Sequence, residues 1–216
     1  MEEFLNNNVF KIIVVGNTGS GKTSFCNRWI NGTFLTIYRA TIMTDFKEKL
    51  YKKNNVEYKI ALWDLAGQDR NIHTTKILTK GALGVLVFCD ITNIKSRNDT
   101  LKWKASIEDN SNFLGTKSNI PCFLIENKID LVNEKIAKDM GELEEFSKKN
   151  NFCGFYRTSC KTGENVDKIM DDIIQYILDK LEDAIKNGEI NEHKDIVIES
   201  KKNEEDNKNQ CCINYN

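Results

Sequence analysis

The sequence is poor in the residues that build metal and disulfide sites. It has two histidines, His73 and His193, and its seven cysteines include no CxxC pair. A structural zinc site or a histidine-based hydrolase therefore has almost no material to work with. We expect reduced thiols in the cysteines that are scattered through apolar or motif segments: Cys26, Cys89, Cys122, Cys153 and Cys160.

Strong charge and long hydrophobic runs are also missing. The formal net charge is -1, so nucleic acid is not an expected partner. The longest apolar stretch, residues 82–89, is far shorter than the roughly 20 residues of a spanning helix, and the N-terminus lacks a signal-peptide pattern. With 216 residues, 40% of them hydrophobic, we expect one domain that stays in the cytosol.

Apolar, β-rich segments alternate with helix-like segments, which predicts a mainly parallel sheet. The strand-like segments are 10–15, Val56–Asp64, Gly84–Asp90, 122–126 and 152–158. Residues 44–52 and 56–65 flank a short turn, so they predict an antiparallel hairpin at one edge. Helices are predicted at Lys22–Asn31, 96–110, 134–150 and Val166–Lys186.

Hydrophobic periodicity fades after residue 186. We therefore predict a flexible N-terminal extension over residues 1–8, a domain over 9–186 and a flexible tail over 187–216.

Residues 16–23 fit the phosphate-loop pattern GxxxxGK[ST], between a predicted strand and a predicted helix. Such a loop brings backbone N–H groups and a helix N-terminus to phosphate oxygens. Lys22 would supply a positive charge and Thr23 a hydroxyl for Mg²⁺. The predicted phosphate contacts are Asn17, Thr18, Gly19, Ser20, Gly21, Lys22, Thr23 and Ser24. A chance glycine-rich turn is the alternative, and the loop alone does not separate GTPases from ATPases or kinases.

A second motif, Asn127-Lys128-Ile129-Asp130, follows a predicted parallel strand. Asp130 can accept hydrogen bonds from guanine N1–H and its exocyclic amine, whereas adenine offers neither donor in this arrangement. A buried, unpaired Asp130 would cost about 1–3 kcal/mol or more, so the motif favours GTP over ATP. Without the phosphate loop, an ordinary polar turn would be the simpler interpretation.

The predicted last strand of the sheet leads into Ser159, Cys160 and Lys161, whose backbone N–H groups can face the base. A simple turn is the alternative for this segment. Its position about thirty residues after the guanine motif makes it informative.

The segment Asp64 to Gln68 has the pattern DxxGQ. It predicts that Asp64 approaches Mg²⁺, that the Gly67 N–H reaches the terminal phosphate, and that Gln68 orients the attacking water. Thr41 lies in an exposed stretch where its hydroxyl can complete the Mg²⁺ shell while the γ-phosphate is present. The predicted catalytic residues are Gln68, Lys22 and Thr41, and the metal ligands are Thr23, Thr41 and Asp64.

Together these motifs resemble the Ras superfamily of small GTPases over about residues 9–182. Residues 42–46, 61–70 and 86–92 and the terminal pair Cys211-Cys212 are similar to Rab signatures. The resemblance implies an α/β phosphate-loop fold with a six-stranded, mainly parallel sheet, one antiparallel edge strand and helices on both faces. It also implies that Phe34 stacks edge-on against guanine and that Lys128 covers the base.

Segments 38–42, 101–104 and 152–161 are similar to the Rab branch associated with lysosome-related organelles and melanosome formation. Three residues in or beside the switches depart from the Rab pattern, which usually has glycine, glutamate and phenylalanine at Met43, Asp69 and Asn71. Cys160 stands where alanine is usual.

The Rab resemblance implies a monomeric, GTP-hydrolysing switch that binds GTP or GDP with Mg²⁺ and regulates vesicle traffic. Implied partners are an exchange factor, a GTPase-activating protein, Rab escort and prenylation machinery, a GDP-dissociation inhibitor and effectors. Lipids on Cys211 and Cys212 would hold the protein on the cytoplasmic face of an intracellular membrane. The alternative is a GTP-binding scaffold at membranes that does not hydrolyse GTP.

Overall fold

The computed structural model describes residues 9–37, 41, 44–67, 78–109 and 111–190. Its sheet has six strands in the order β2-β3-β1-β4-β5-β6, and only β2 and β3 pair in antiparallel fashion. The strands are β1 (Val9–Gly16), β2 (Asp45–Lys53), β3 (Val56–Asp64), β4 (Gly84–Asp90), β5 (Cys122–Asn127) and β6 (Gly154–Thr158). The predicted sheet, including its antiparallel edge strand, is confirmed.

Helices cover both faces of the sheet, as predicted. They are α1 (Lys22–Asn31), α2 (Ile94–Glu108), α3 (Glu134–Lys138), α4 (Gly141–Lys149) and α5 (Val166–Lys186). Successive side chains of a strand point to opposite faces. In β1, Ile12 and Val14 accordingly pack into the cluster with α1 and α5, while Ile13 and Val15 pack into the one with α2 and α4.

The single helix predicted over residues 134–150 is wrong, because α3 and α4 are separate helices. Asp139, between them, has extended backbone angles. The Arg157 guanidinium donates hydrogen bonds to the carbonyls of Ile136 and Asp139, and it thereby satisfies the end of α3. This contact comes from β6, so the local pattern could not predict it.

The carboxyl ends of the parallel strands lie at one edge of the sheet, where open α/β sheets bind ligands. There β1 leads into the phosphate loop, β5 ends at Asn127 and β6 leads into Ser159. Beyond α5, in the segment predicted as a tail, Ile190 is buried in the core, so packing extends past residue 186.

Candidate nucleotide site

A cavity of about 720 Å³ lies at this edge of the sheet. Its volume is within the range of small-molecule and cofactor sites. The lining residues are Thr18, Gly19, Gly21, Lys22, Thr23, Ser24, Asn27, Phe34, Leu35, Thr36, Ile37, Thr41, Gly67, Asn127, Lys128, Asp130, Leu131, Cys160 and Lys161. The phosphate loop and the guanine motif, which are a hundred residues apart in sequence, therefore share one cavity.

The phosphate loop is shaped by close approaches that only glycine permits. At Gly21, φ is 98° and an added Cβ would lie 2.0 Å from Asn127 Nδ2. At Gly16, an added Cβ would lie 2.3 Å from the Phe88 carbonyl oxygen. Lys22 Nζ donates to the Gly16 and Asn17 carbonyls at 2.9 and 3.1 Å. The loop thus curls around the lysine ammonium group.

Lys22 is buried, and burial lowers its pKa, while the nearby Asp64 carboxylate acts in the opposite direction. A buried ammonium group is stabilised by negative charge beside it. Phosphate oxygens in the cavity would supply that charge.

Thr23, Thr41 and Asp64 form a cluster of oxygen atoms beside the phosphate loop. The hydroxyls of Thr23 and Thr41 are 2.8 Å apart, and the Thr23 hydroxyl donates to Asp64 Oδ2. Asp64 Oδ1 is buried and has no hydrogen-bond partner among the described residues. A buried carboxylate oxygen without a partner is costly, and hydroxyl and carboxylate oxygens are ligands that Mg²⁺ prefers. The cluster therefore fits a divalent cation.

Burial also raises the pKa of Asp64, against the hydrogen bond from Thr23 and the charge of Lys22. A cation at Oδ1 would favour the ionised carboxylate.

Gly67 follows the Asp64 strand and touches the phosphate loop directly. An added Cβ would lie 2.4 Å from the Thr18 backbone nitrogen. The Gly67 backbone therefore lies beside the phosphate loop and lines the cavity.

Asn127 connects the two ends of the cavity. Its Nδ2 donates to the Ser20 carbonyl at 2.9 Å, and its Oδ1 accepts from the Cys160 N–H at 3.2 Å. Asn127 is 2% exposed, so both hydrogen bonds are shielded from water. One amide thereby fixes the phosphate loop relative to the loop after β6.

The Asp130 carboxylate is aligned by the loop after β6. Ser159 Oγ donates to Asp130 Oδ1 at 2.6 Å, and Lys161 Nζ lies 3.9 Å from Oδ2. The Lys128 ammonium group pairs with Asp90 at 2.5 Å, and Lys128 has a left-handed backbone with φ of 73°. The Asp130 carboxylate is thus held at the cavity wall.

Most of the predicted site residues line one cavity, but some act from behind its wall. Asn17, Ser20, Asp64 and Ser159 are absent from the lining, and Asp64 instead contacts the lining residue Thr23. The Asn17 side chain contacts Asp99 and Trp103 of α2. Ser20 and Ser159 instead hold Asn127 and Asp130 in place.

Several lining residues were not predicted from the sequence, including Asn27, Leu35 and Ile37. Asn27 could have been found, because it lies four residues after Thr23 on α1 and so on the same helix face. Three predicted site residues, Gln68, Cys211 and Cys212, lie outside the described residues, as do Met43, Asp69 and Asn71.

Comparison with known proteins identifies the family. A profile of the Ras family matches residues 11–179. The chain is 31% identical to the Ras-related protein Rab-32A of Dictyostelium discoideum over 88% of this chain and 90% of the relative. It is 32% identical to human Rab-32 over 94% and 89%, and 31% identical to human Rab-7L1 over 79% and 83%. The chain belongs to the Rab GTPases of the Ras family.

This Rab GTPase is therefore a small GTP-hydrolysing enzyme of membrane trafficking, as the sequence resemblance predicted. The thiols of its cysteines at 26, 89, 122, 153 and 160 are free. Over the part of the chain that the structure describes, no helix combines the length and apolar character needed to cross a membrane.

Proposed function

We propose that this Rab GTPase is a nucleotide-dependent switch that binds GTP with Mg²⁺, hydrolyses it to GDP and phosphate, and recruits effectors in the GTP state. The observation that carries the proposal is the unpartnered Oδ1 of Asp64 beside the hydroxyls of Thr23 and Thr41. Asp130 lines the same cavity as Thr23 and Thr41. The proposed cation site and the proposed guanine-binding carboxylate therefore share one cavity.

Guanine selectivity would come from Asp130. Its carboxylate can accept from the N1–H and the 2-amino group of guanine, while adenine presents an acceptor and no group at those positions. Ser159 limits the rotation of this carboxylate. Adenine would leave it unpaired, which supports selection for guanine.

Thr23, Thr41 and Asp64 would hold Mg²⁺. Held there, it would supply positive charge to offset the negative charge that develops on the phosphates during their transfer. Lys22 adds a second positive charge from inside the phosphate loop. The phosphate end of the cavity thus combines the charge-neutralising groups that phosphoryl transfer requires.

Hydrolysis itself would depend on Gln68 orienting water toward the γ-phosphate. No covalent intermediate with the protein is needed, because positioning and charge neutralisation supply most of the catalysis of phosphoryl transfer.

The switch would operate through Thr41 and Gly67. The Thr41 hydroxyl lies 2.8 Å from the Thr23 hydroxyl, and Gly67 packs on the loop at Thr18. Loss of the γ-phosphate would remove an anchor for both segments, and effectors would then lose the surface they bind.

Membrane attachment would use geranylgeranyl groups on Cys211 and Cys212, added by Rab escort and prenylation machinery. Two chains give stable anchoring, and a lipid-binding GDP-dissociation inhibitor would return the GDP form to the cytosol. An exchange factor and a GTPase-activating protein would set the cycle. The similarity to Rab-32 supports the cytoplasmic face of lysosome-related organelles as the location.

Single-turnover GTP hydrolysis tests this proposal. Wild-type protein with Mg²⁺ should hydrolyse bound GTP at a slow intrinsic rate on the order of 10⁻⁴ s⁻¹, and cell extract as a source of activator should accelerate it. Gln68→Leu should abolish the acceleration. Equal rates for both proteins, with and without extract, would instead support the non-hydrolysing scaffold. ATP binding as tight as GTP binding would overturn the nucleotide assignment.

A further inference from the structure

Arg28 is a charged residue of α1 whose contacts none of the sequence motifs explains. It lies five residues after Thr23, on the helix that the phosphate loop begins. Its guanidinium group reaches across to the loop after β6. Nε donates to the Cys160 carbonyl at 2.9 Å, and Nη2 donates to the Lys161 carbonyl at 2.6 Å. Two successive carbonyls of the base loop, residues 158–161, are therefore held by one side chain.

The third guanidinium nitrogen of Arg28 binds the end of α1, the helix that carries Arg28. Nη1 of Arg28 donates to the Gly32 carbonyl at 2.8 Å, just beyond the end of α1. A guanidinium group is planar, so its hydrogen bonds in different directions fix its orientation. Because bonds to charged donors are stronger than neutral ones, the base loop is tied firmly to α1.

The direction of these carbonyls decides where a backbone N–H points. The peptide unit between Cys160 and Lys161 is planar, and in the trans form its N–H is directed opposite to its carbonyl. Since the carbonyl faces Arg28, the Lys161 N–H faces away from it. No acceptor among the described residues takes this N–H, while the Cys160 N–H already binds Asn127. Lys161 lines the nucleotide cavity.

We infer that Arg28 is a positioning residue for guanine recognition, which holds the Lys161 N–H ready for the O6 oxygen of the base. This inference rests on the proposed binding of guanine nucleotide in the cavity. Arg28 touches no part of the nucleotide in this scheme, because it acts from the far side of the base loop. Its effect is to order the base loop before the nucleotide binds, so that binding does not carry the entropic cost of ordering that loop.

The affinities for three purine nucleoside diphosphates distinguish this positioning role of Arg28 from a general contribution to the stability of the fold. GDP has O6, N1–H and the 2-amino group; 6-thio-GDP replaces only O6, by sulfur, which is a weaker acceptor. IDP keeps O6 and lacks only the 2-amino group that faces Asp130. Calorimetric titration of nucleotide-depleted protein with Mg²⁺ would give the affinity of each.

Arg28→Ala should weaken GDP binding about 3- to 10-fold, the range expected for one hydrogen bond, and 6-thio-GDP binding less. The preference for GDP over 6-thio-GDP should therefore fall, while the preference for GDP over IDP stays as in wild type. Arg28→Lys should restore part of the preference for GDP over 6-thio-GDP, because the lysine ammonium group can reach either the Cys160 or the Lys161 carbonyl. Lys148→Ala, an exposed change on α4, should leave all affinities unchanged.

Equal weakening of GDP and 6-thio-GDP in Arg28→Ala would overturn the inference and leave Arg28 as a support of the fold. A failure of the proposed function would look different, because wild-type protein would then bind ADP as tightly as GDP.

Discussion

Asn127 Nδ2 donates a hydrogen bond to the backbone carbonyl of Ser20 at 2.9 Å, although the two residues are 107 positions apart. Because the same side chain accepts from Cys160, the phosphate loop, β5 and the loop after β6 share one buried amide. The shape of the site therefore depends on hydrogen bonds that Asn127 makes within the protein.

Asn127→Ala should speed the release of nucleotide and lower stability. It leaves the buried Ser20 carbonyl and the Cys160 N–H without partners, and each unsatisfied group costs about 1–3 kcal/mol. We expect dissociation of fluorescent GDP at least about 10-fold faster than from wild type, measured by stopped flow. Asn119→Ala, a change at an exposed asparagine outside the cavity, is the control. If Asn127→Ala released fluorescent GDP at the wild-type rate, this role of Asn127 would be contradicted.

Substitutions in a buried triad of charged residues should have strongly non-additive effects on the free energy of unfolding. Glu126, with a 0% exposed side chain, accepts from Arg97 Nε at 2.8 Å and from Arg157 Nε at 2.8 Å. Glu126→Leu leaves two buried guanidinium groups without their carboxylate, so the free energy of unfolding should fall by about 3–5 kcal/mol.

The triple variant R97M/E126L/R157M removes all three charges and should regain most of the stability lost in Glu126→Leu. Urea unfolding of the GDP-bound proteins would measure both effects. A triple variant less stable than the single one would show that Arg97 and Arg157 are needed for their other hydrogen bonds, including those of Arg157 to α3.

Gly67→Ala should reduce the preference for GTP over GDP. The new methyl group would lie 2.4 Å from the Thr18 nitrogen, and backbone on both sides would have to separate. Because Gly67 is expected to meet the γ-phosphate, we predict a loss of about 10-fold in affinity for a non-hydrolysable GTP analogue, equivalent to 1.4 kcal/mol, and a smaller loss for GDP. Gly141→Ala on α4 is a suitable control, since its Cβ would meet only Asp139 Oδ1, at 3.4 Å. Equal losses for both nucleotides would contradict the prediction.

Cys160 should resist alkylation although it borders the cavity. Burial raises the pKa of its thiol to about 12, against the hydrogen bond with Asn127, so the thiol stays protonated at pH 8. Since the thiolate is the reactive form, iodoacetamide at pH 8 should modify the exposed Cys153 and leave Cys160 intact until the protein unfolds. Peptide mass spectrometry over time would compare the two sites. Similar rates at both would show that the base loop opens readily.

The sequence predicted those parts of the structure that local patterns encode. The bounds of α1 and α5 were predicted to the residue, since each follows a clear motif or an apolar stripe. The break between α3 and α4 was missed because Arg157 creates it from a distant strand. Asn127 was predicted to contact nucleotide, but its role as a brace depends on Ser20 and Cys160 meeting it in space. Arg28 was missed for the same reason, because an arginine on a helix shows no pattern that predicts which loop it binds.

The strand order also has a consequence for the protein during its synthesis. The phosphate loop emerges from the ribosome early, but its partner Asn127 comes about a hundred residues later, and Cys160 and Arg157 later still. Domains fold once the segments that complete their core are available. Cellular GTP therefore cannot stabilise the first two thirds of the chain while it is translated. Stabilisation by nucleotide begins only with the nearly finished domain.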